Sequence, residues 1–241
     1  MSNRSLDLPQ AKVTFSQNFS RKMLIFIAGG REPDKEWLLE LAKINWPIWA
    51  IDRGLSYCLK AGITPELYIG DHDSISKEEL LRAKNAMVEI IAFSPMKDLT
   101  DLQLSLKEAS KRYKNAAILL TGCWGGRFDH LYSILYSTIW AYDWNIATIA
   151  MADDKEIMYL MKGESSIRLD CKKKPENISL LALSDHCLGV NIDNVVWPLE
   201  DYTLYQKQPF AISNLLLTAS EHNMSMNVSV KKGWLGVYLN F

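Results

Sequence analysis

Three acidic motifs between residues 70 and 130 carry the residue types of metal-assisted phosphate chemistry. They read Gly70-Asp71-His72-Asp73-Ser74, Lys97-Asp98-Leu99-Thr100-Asp101 and Gly125-Gly126-Arg127-Phe128-Asp129-His130. Asp71 and Asp73 are two residues apart, so in an extended segment both carboxylates point the same way and can reach one ion. Magnesium takes such oxygen ligands and keeps waters and substrate phosphates in the rest of its shell. Asp98, Thr100 and Asp101 stand where a helix is expected to begin. The free N–H groups and positive dipole end of that helix favour an anion, and Lys97 adds charge. In the third motif the glycines allow close backbone approach, and Arg127 offers a planar fork suited to phosphate oxygens. Asp129 and His130 open the following helix. Each motif has a plainer reading as well: a polar turn, a pair of N-caps, or loop glycines.

The elements that must position these residues are legible as alternating strands and helices over residues 23–151. Residues 22–28 form an apolar run of the kind buried on both faces of a sheet, broken by Gly29-Gly30-Arg31. Asp34 caps a helix whose apolar face holds Trp37, Leu38 and Leu41. Residues 47–51 form a second strand ending at Asp52, and a short helix over 55–60 stops at Gly62. Residues 67–69 form a third strand, which delivers Asp71 and Asp73. Ser76 and Glu79 make a capping box for a helix to about residue 85. Strands are expected at 88–92, 116–120 and 145–151. Helices are expected from Thr100 or Asp98, bearing Leu102, Leu106 and Ala109, and over about 129–144.

This alternation predicts an α/β domain with a mostly parallel sheet and helices on both faces. In such a fold the loops at successive strand ends converge on one ligand crevice. The three motifs, with Asp52 at the same rim, thus become one candidate site for a nucleotide triphosphate.

Character changes near Asp153-Asp154. Beyond it come short β-like runs at 156–160, 166–169, 178–183 and 226–230, then a Lys232-Gly233 turn before 234–241. That spacing suggests an all-β sandwich. The expected division is 1–153 for the α/β nucleotide-binding domain and 154–241 for the sandwich. In the second half Trp197 and Ser213-Asn214 draw notice, although a sandwich core and a plain turn would also explain them.

The bulk properties narrow the class. The chain has 241 residues, 48% apolar and 23% charged, with a net charge of -1. No basic excess supports nucleic-acid binding. The four cysteines and four histidines show no zinc-ligand spacing, and free thiols in a reducing compartment are expected. Residues 1–22 are polar and carry no secretory h-region, and no apolar run approaches membrane-spanning length. A cytoplasmic protein without a membrane partner is the expectation.

At this point the motifs resemble those of the thiamin pyrophosphokinase family. Asp52-Arg53-Gly54, Gly62-Ile63-Thr64-Pro65-Glu66 and Gly70-Asp71-His72-Asp73-Ser74 follow the family's order, as do Asp98-Leu99-Thr100-Asp101 and Gly125 to His130. Trp197-Pro198-Leu199 and Ser213-Asn214 match its C-terminal signals. The chain departs from the pattern at Arg53 (for Gly), Glu66 (for Asp), Asn194-Val195 (for Gly-Leu) and Ala211 (for Ser).

The resemblance implies transfer of pyrophosphate from ATP to the thiamin hydroxyl, giving thiamin diphosphate and AMP, with Mg2+. It implies a homodimer whose active sites combine the nucleotide domain of one subunit with the sandwich of the other. The roles carried over are Asp71, Asp73 and Asp101 at the metal, with Asp101 supporting the pair or acting as base, and Arg127 on the phosphates. Asp52, Asp98, Thr100, Gly126, Asp129 and His130 fall to the nucleotide, and Trp197, Ser213 and Asn214 to thiamin. A metal-dependent nucleotidyl- or glycosyltransferase would explain Asp71-x-Asp73 but not the Gly-Gly-Arg-x-Asp-His cluster. A ligand-sensing module would have little need of so many carboxylates at one rim.

Overall fold

The computed structural model describes residues 4–16, 22–71, 73–94, 98–217 and 224–241, which form two compact units, 21–153 and 1–20 with 154–241. His72 and Lys97 of the acidic motifs lie outside the described residues.

The chain enters through β1 (Ser5–Asp7) and β2 (Ala11–Phe15). The α/β unit then runs β3 (Lys22–Ile27), α1 (Lys35–Ala42), β4 (Ile48–Ile51), α2 (Gly54–Ala61), β5 (Leu67–Gly70), α3 (Lys77–Asn85) and β6 (Glu89–Ala92). It continues with α4 (Asp101–Arg112), β7 (Ala116–Thr121), α5 (Phe128–Trp140), a 3-10 turn (Ala141–Trp144) and β8 (Ile146–Ala152). Its six strands pair in parallel in the order β8-β7-β3-β4-β5-β6. Every residue of β5 and β7 is buried. Such runs are apolar throughout because helices cover both faces of a parallel sheet. The helices fall into an α1-α2-α3 group and an α4-α5 group.

Local signals set the helix starts. Asp34 Oδ1 accepts from the Trp37 N–H at 3.0 Å, and Ser76 with Glu79 closes a capping box. Thr100, not Asp98, caps α4: its Oγ1 accepts from the Gln103 N–H while Gln103 Oε1 accepts from the Thr100 N–H. A cap of this kind contributes about 1 kcal/mol. The long helix expected over 129–144 ends at Trp140 and tightens into the 3-10 turn, which Asn145 closes in the left-handed region.

The order of strands reverses direction at β3, whose neighbours are β4 and β7. Loops leaving β3 and β7 at such a switch point diverge and open a crevice. Here they are tied together at their roots, with the Gly30 N–H donating to Gly122 O and the Arg31 N–H to Trp124 O, both at 2.6 Å. Gly122 sits at φ +62, and a Cβ there would lie 2.3 Å from Ala28 O, so only glycine lets the two loops approach.

The second unit holds β9 (Glu156–Lys162), β10 (Ser165–Cys171), β11 (Asn177–Ala182), β12 (His186–Ile192), β13 (Leu199–Tyr205), β14 (Ser225–Val230) and β15 (Trp234–Asn240). One antiparallel sheet has the order β1-β2-β10-β14-β12-β13, and a second antiparallel set has the order β11-β15-β9. Buried and open positions alternate along β2 and β14, as expected of strands with one buried face.

The expected division placed residues 1–153 in the α/β domain. The first strands depart from it: β2 pairs with β10 through Val13 and Leu169 and their neighbours, so the N-terminus belongs to the β unit. The reason is visible in side-chain alternation. Leu6 and Leu8, and then Ala11, Val13 and Phe15, are buried, a two-residue alternation on either side of residues 9–10 that the polar average of residues 1–22 conceals. β12 and β13 were likewise not anticipated.

Candidate active site

Two strand ends bring three carboxylates together. β4 stops at Ile51, and Asp52 follows in the left-handed region at φ 54, which aspartate tolerates better than most residues. The Asp52 N–H donates to Ile69 O at 2.8 Å, which seats Asp52 beside Gly70 at the end of β5. Asp71 and Asp73 come next. One oxygen from each of Asp52, Asp71 and Asp73 lies within 4.8 Å of the others. The turn is held by the Asp73 N–H donating to Asp71 Oδ1 at 3.3 Å and by the Ser74 hydroxyl donating to Asp52 Oδ1.

Clustering shows in the acidity of Asp52. Burial, and then the charges of Asp101, Asp73 and Asp71, push its carboxyl up from 3.8 to about 6, against the opposing pull of Arg53. Asp101, first residue of α4, therefore bears on the cluster electrostatically. It is not among the three whose oxygens converge. Sequence reasoning put Asp101 at the metal and Asp52 at the nucleotide; the register of β4 against β5, which spacing along the chain does not reveal, groups Asp52 with Asp71 and Asp73. Ser74 was missed as a contributor, although it stands inside the motif. Asp98 is exposed on the turn before α4, and the Thr100 hydroxyl is engaged in its cap.

The glycine loop after β7 forms a second group. Gly125 and Gly126 are at positive φ, and residues 125–130 are exposed. Asp129 grips Arg127 through both oxygens, with Nε–Oδ1 at 3.1 Å and Nη2–Oδ2 at 2.5 Å. This hydrogen bonding lowers the pKa of Asp129 and raises that of Arg127. His130 follows in the same first turn. Across the crevice Arg31, from the loop after β3, donates through Nε and Nη2 to Oδ2 of Asp153 at 2.9 and 2.6 Å. Asp153 is fully buried. Sequence reasoning did not single out this pair, whose members are 122 residues apart.

In the β unit Trp197 is 61% exposed, so it is no core residue. Its ring lines a cleft of about 270 Å³ with Ile178, Leu180, Leu199, Phe210 and Asn214. The Asn214 side chain is committed to backbone: Oδ1 accepts from the Trp197 and Leu215 N–H groups, and Nδ2 donates to Trp197 O at 2.7 Å. Asn214 thus straps the Trp197 segment in place. Ser213 is exposed at φ 60, its N–H donating to the Ser179 hydroxyl at 3.0 Å.

Residues 39–150 match the thiamin pyrophosphokinase catalytic domain. Among relatives, the chain is 28% identical over 171 residues to thiamine pyrophosphokinase of Bacillus subtilis, covering 70% of this chain and 78% of that one. It is 25% identical to thiamine pyrophosphokinase 1 of rice over 63% of this chain and 59% of that one. Among solved structures, the Bacillus subtilis thiamine pyrophosphokinase shares the fold with a TM-score of 0.77 at 23% identity, over 91% of this chain and 99% of that one. Yeast thiamin pyrophosphokinase shares it with a TM-score of 0.67 at 14% identity, over 92% and 87%. Catalytic-domain match, relatives and fold agree with the motifs at the strand ends, and all of them liken the chain to thiamin pyrophosphokinases.

Proposed function

We propose that the protein transfers the pyrophosphoryl group of ATP to the hydroxyl of thiamin, forming thiamin diphosphate and AMP, with Mg2+ held by Asp52, Asp71 and Asp73. The observation that carries this reading is the convergence of those three carboxylates at the C-terminal rim of a parallel sheet. Their fit to magnesium is chemical: the donors are hard oxygens, and a cation would relieve both the burial and the like charges that raise Asp52. When bound, the ion supplies charge neutralisation at the triphosphate.

The remaining work is positioning and electrostatics. Asp101, which bears on the cluster from the start of α4, is assigned the proton of the thiamin hydroxyl. Asp98 and Thr100 border the nucleotide at the same helix start. Gly126 and Arg127 face the phosphates, and the two-point grip of Asp129 fixes the plane of the Arg127 fork. His130 orients substrate beside it.

On the thiamin side, the exposed Trp197 ring suits stacking on an aromatic heterocycle. Asn214 holds that segment, and Ser213 adds a hydrogen-bonding group. The protein acts as a homodimer in which the β unit of one copy serves the α/β unit of the other. Exposed Val196, Trp197, Phe210, Ile212, Leu215 and Leu217 support a covered face there. The cytoplasm is the assigned compartment, in keeping with four free, buried cysteines.

Product analysis tests the reading. Protein, ATP, magnesium and thiamin should yield AMP and thiamin diphosphate in equal amounts. ADP with thiamin monophosphate, or no thiamin-dependent product, would overturn it.

A further inference from the structure

Tyr68 is a fully buried tyrosine on β5 that no part of the mechanism uses. Successive side chains of a strand alternate between faces, so Tyr68 and Gly70 share one face. Gly70 has no side chain, and the ring of Tyr68 runs along the strand into the space this leaves. A Cβ on Gly70 would lie 2.7 Å from the Tyr68 hydroxyl and 3.4 Å from the Asp52 Cα. The hydroxyl is therefore delivered to the C-terminal rim, beside the backbone of Asp52 and one residue short of Asp71. Tyr68 pairs with Ala50 across the β4–β5 register, two residues before Asp52.

We propose that Tyr68 is a positioning residue of the cation site: its hydroxyl is the donor beneath the carboxylates that keeps them turned toward one shared ion. This rests on the cation reading of Asp52, Asp71 and Asp73. The phenolic hydroxyl of tyrosine is a hydrogen-bond donor. A donor next to ligating carboxylates fixes their orientation, and loss of such an outer partner commonly weakens metal binding about 10- to 100-fold.

The test is Mn2+ binding by the full chain, followed by calorimetry and by the spin signal of the free ion. Tyr68→Phe keeps the ring and removes only the hydroxyl. It should weaken Mn2+ binding about tenfold, with the urea midpoint unchanged. The magnesium needed for half-maximal turnover should rise by the same factor, while kcat at saturating magnesium stays. Gly70→Ala keeps the tyrosine and displaces its hydroxyl, and should give the same loss. Mn2+ binding by Tyr68→Phe within twofold of the parent overturns the proposal. So does a loss that merely follows a lowered urea midpoint. Asp71→Asn separates the two levels: if it leaves Mn2+ binding intact, the cation site itself is wrong, whatever Tyr68 does.

Discussion

Replacing Asp52 with asparagine should stabilise the metal-free protein at neutral pH while abolishing its chemistry. The substituted side chain would keep the left-handed backbone at φ 54, which asparagine adopts readily, and would still accept from Ser74. The folded state holds the Asp52 carboxyl at about 6, above its ordinary 3.8. Folding therefore favours the protonated form. That stabilisation is fully present below pH 3.8 and is lost as pH rises through about 6. Moving the carboxyl between those values corresponds to about 3 kcal/mol. The group is partly solvated, and screening reduces this to about 1–2 kcal/mol. Urea unfolding of parent and Asp52→Asn in EDTA at about pH 4 and about pH 8 measures it. The difference between the two should move by about 1–2 kcal/mol in the variant's favour over that range. Saturating magnesium should reverse the order at the higher pH, because the ion stabilises only the intact cluster. A parallel pH dependence in the two proteins would refute the reasoning.

Asp71→Asn should form no AMP from ATP and thiamin while its circular dichroism matches the parent; near-normal turnover would remove Asp71 from the site. Asn214→Ala breaks the two hydrogen bonds that hold the Trp197 segment, and should raise the KM for thiamin severalfold with little change in the KM for ATP. Gly54→Ala would set a methyl 1.8 Å from Ile27 O at the root of the site, and should cost about 3 kcal/mol in unfolding measurements. Cys58 and Cys171, whose thiols burial pushes up to about 12, should resist a thiol reagent such as DTNB until the chain is unfolded.

Much of the α/β unit was legible because its signals are local. The apolar run before Gly29, the Asp34 and Ser76 caps, and the stop at Gly62 each act within a few residues, and each ends or starts an element where expected. The motifs at strand ends could be read as one rim because a parallel sheet forces such loops together. What escaped reading depends on partners distant in sequence. Nothing near Val13 says that it will pair opposite Leu169. Asp52 joins Asp71 and Asp73 only through the β4–β5 register, and Arg31 finds Asp153 across 122 residues. Trp197 shows the same limit from the other side: its residue type fits a core, yet its segment is strapped by Asn214, 17 residues away, and the side chain is exposed.

The most direct measurement follows the phosphorus atoms. ATP labelled at the β position and ATP labelled at the α position are each incubated with the protein, magnesium and thiamin. Attack of the thiamin hydroxyl on the β-phosphorus puts all β label in thiamin diphosphate and all α label in AMP. Label from the α position in the thiamin product, or β label retained with adenosine, would contradict the account.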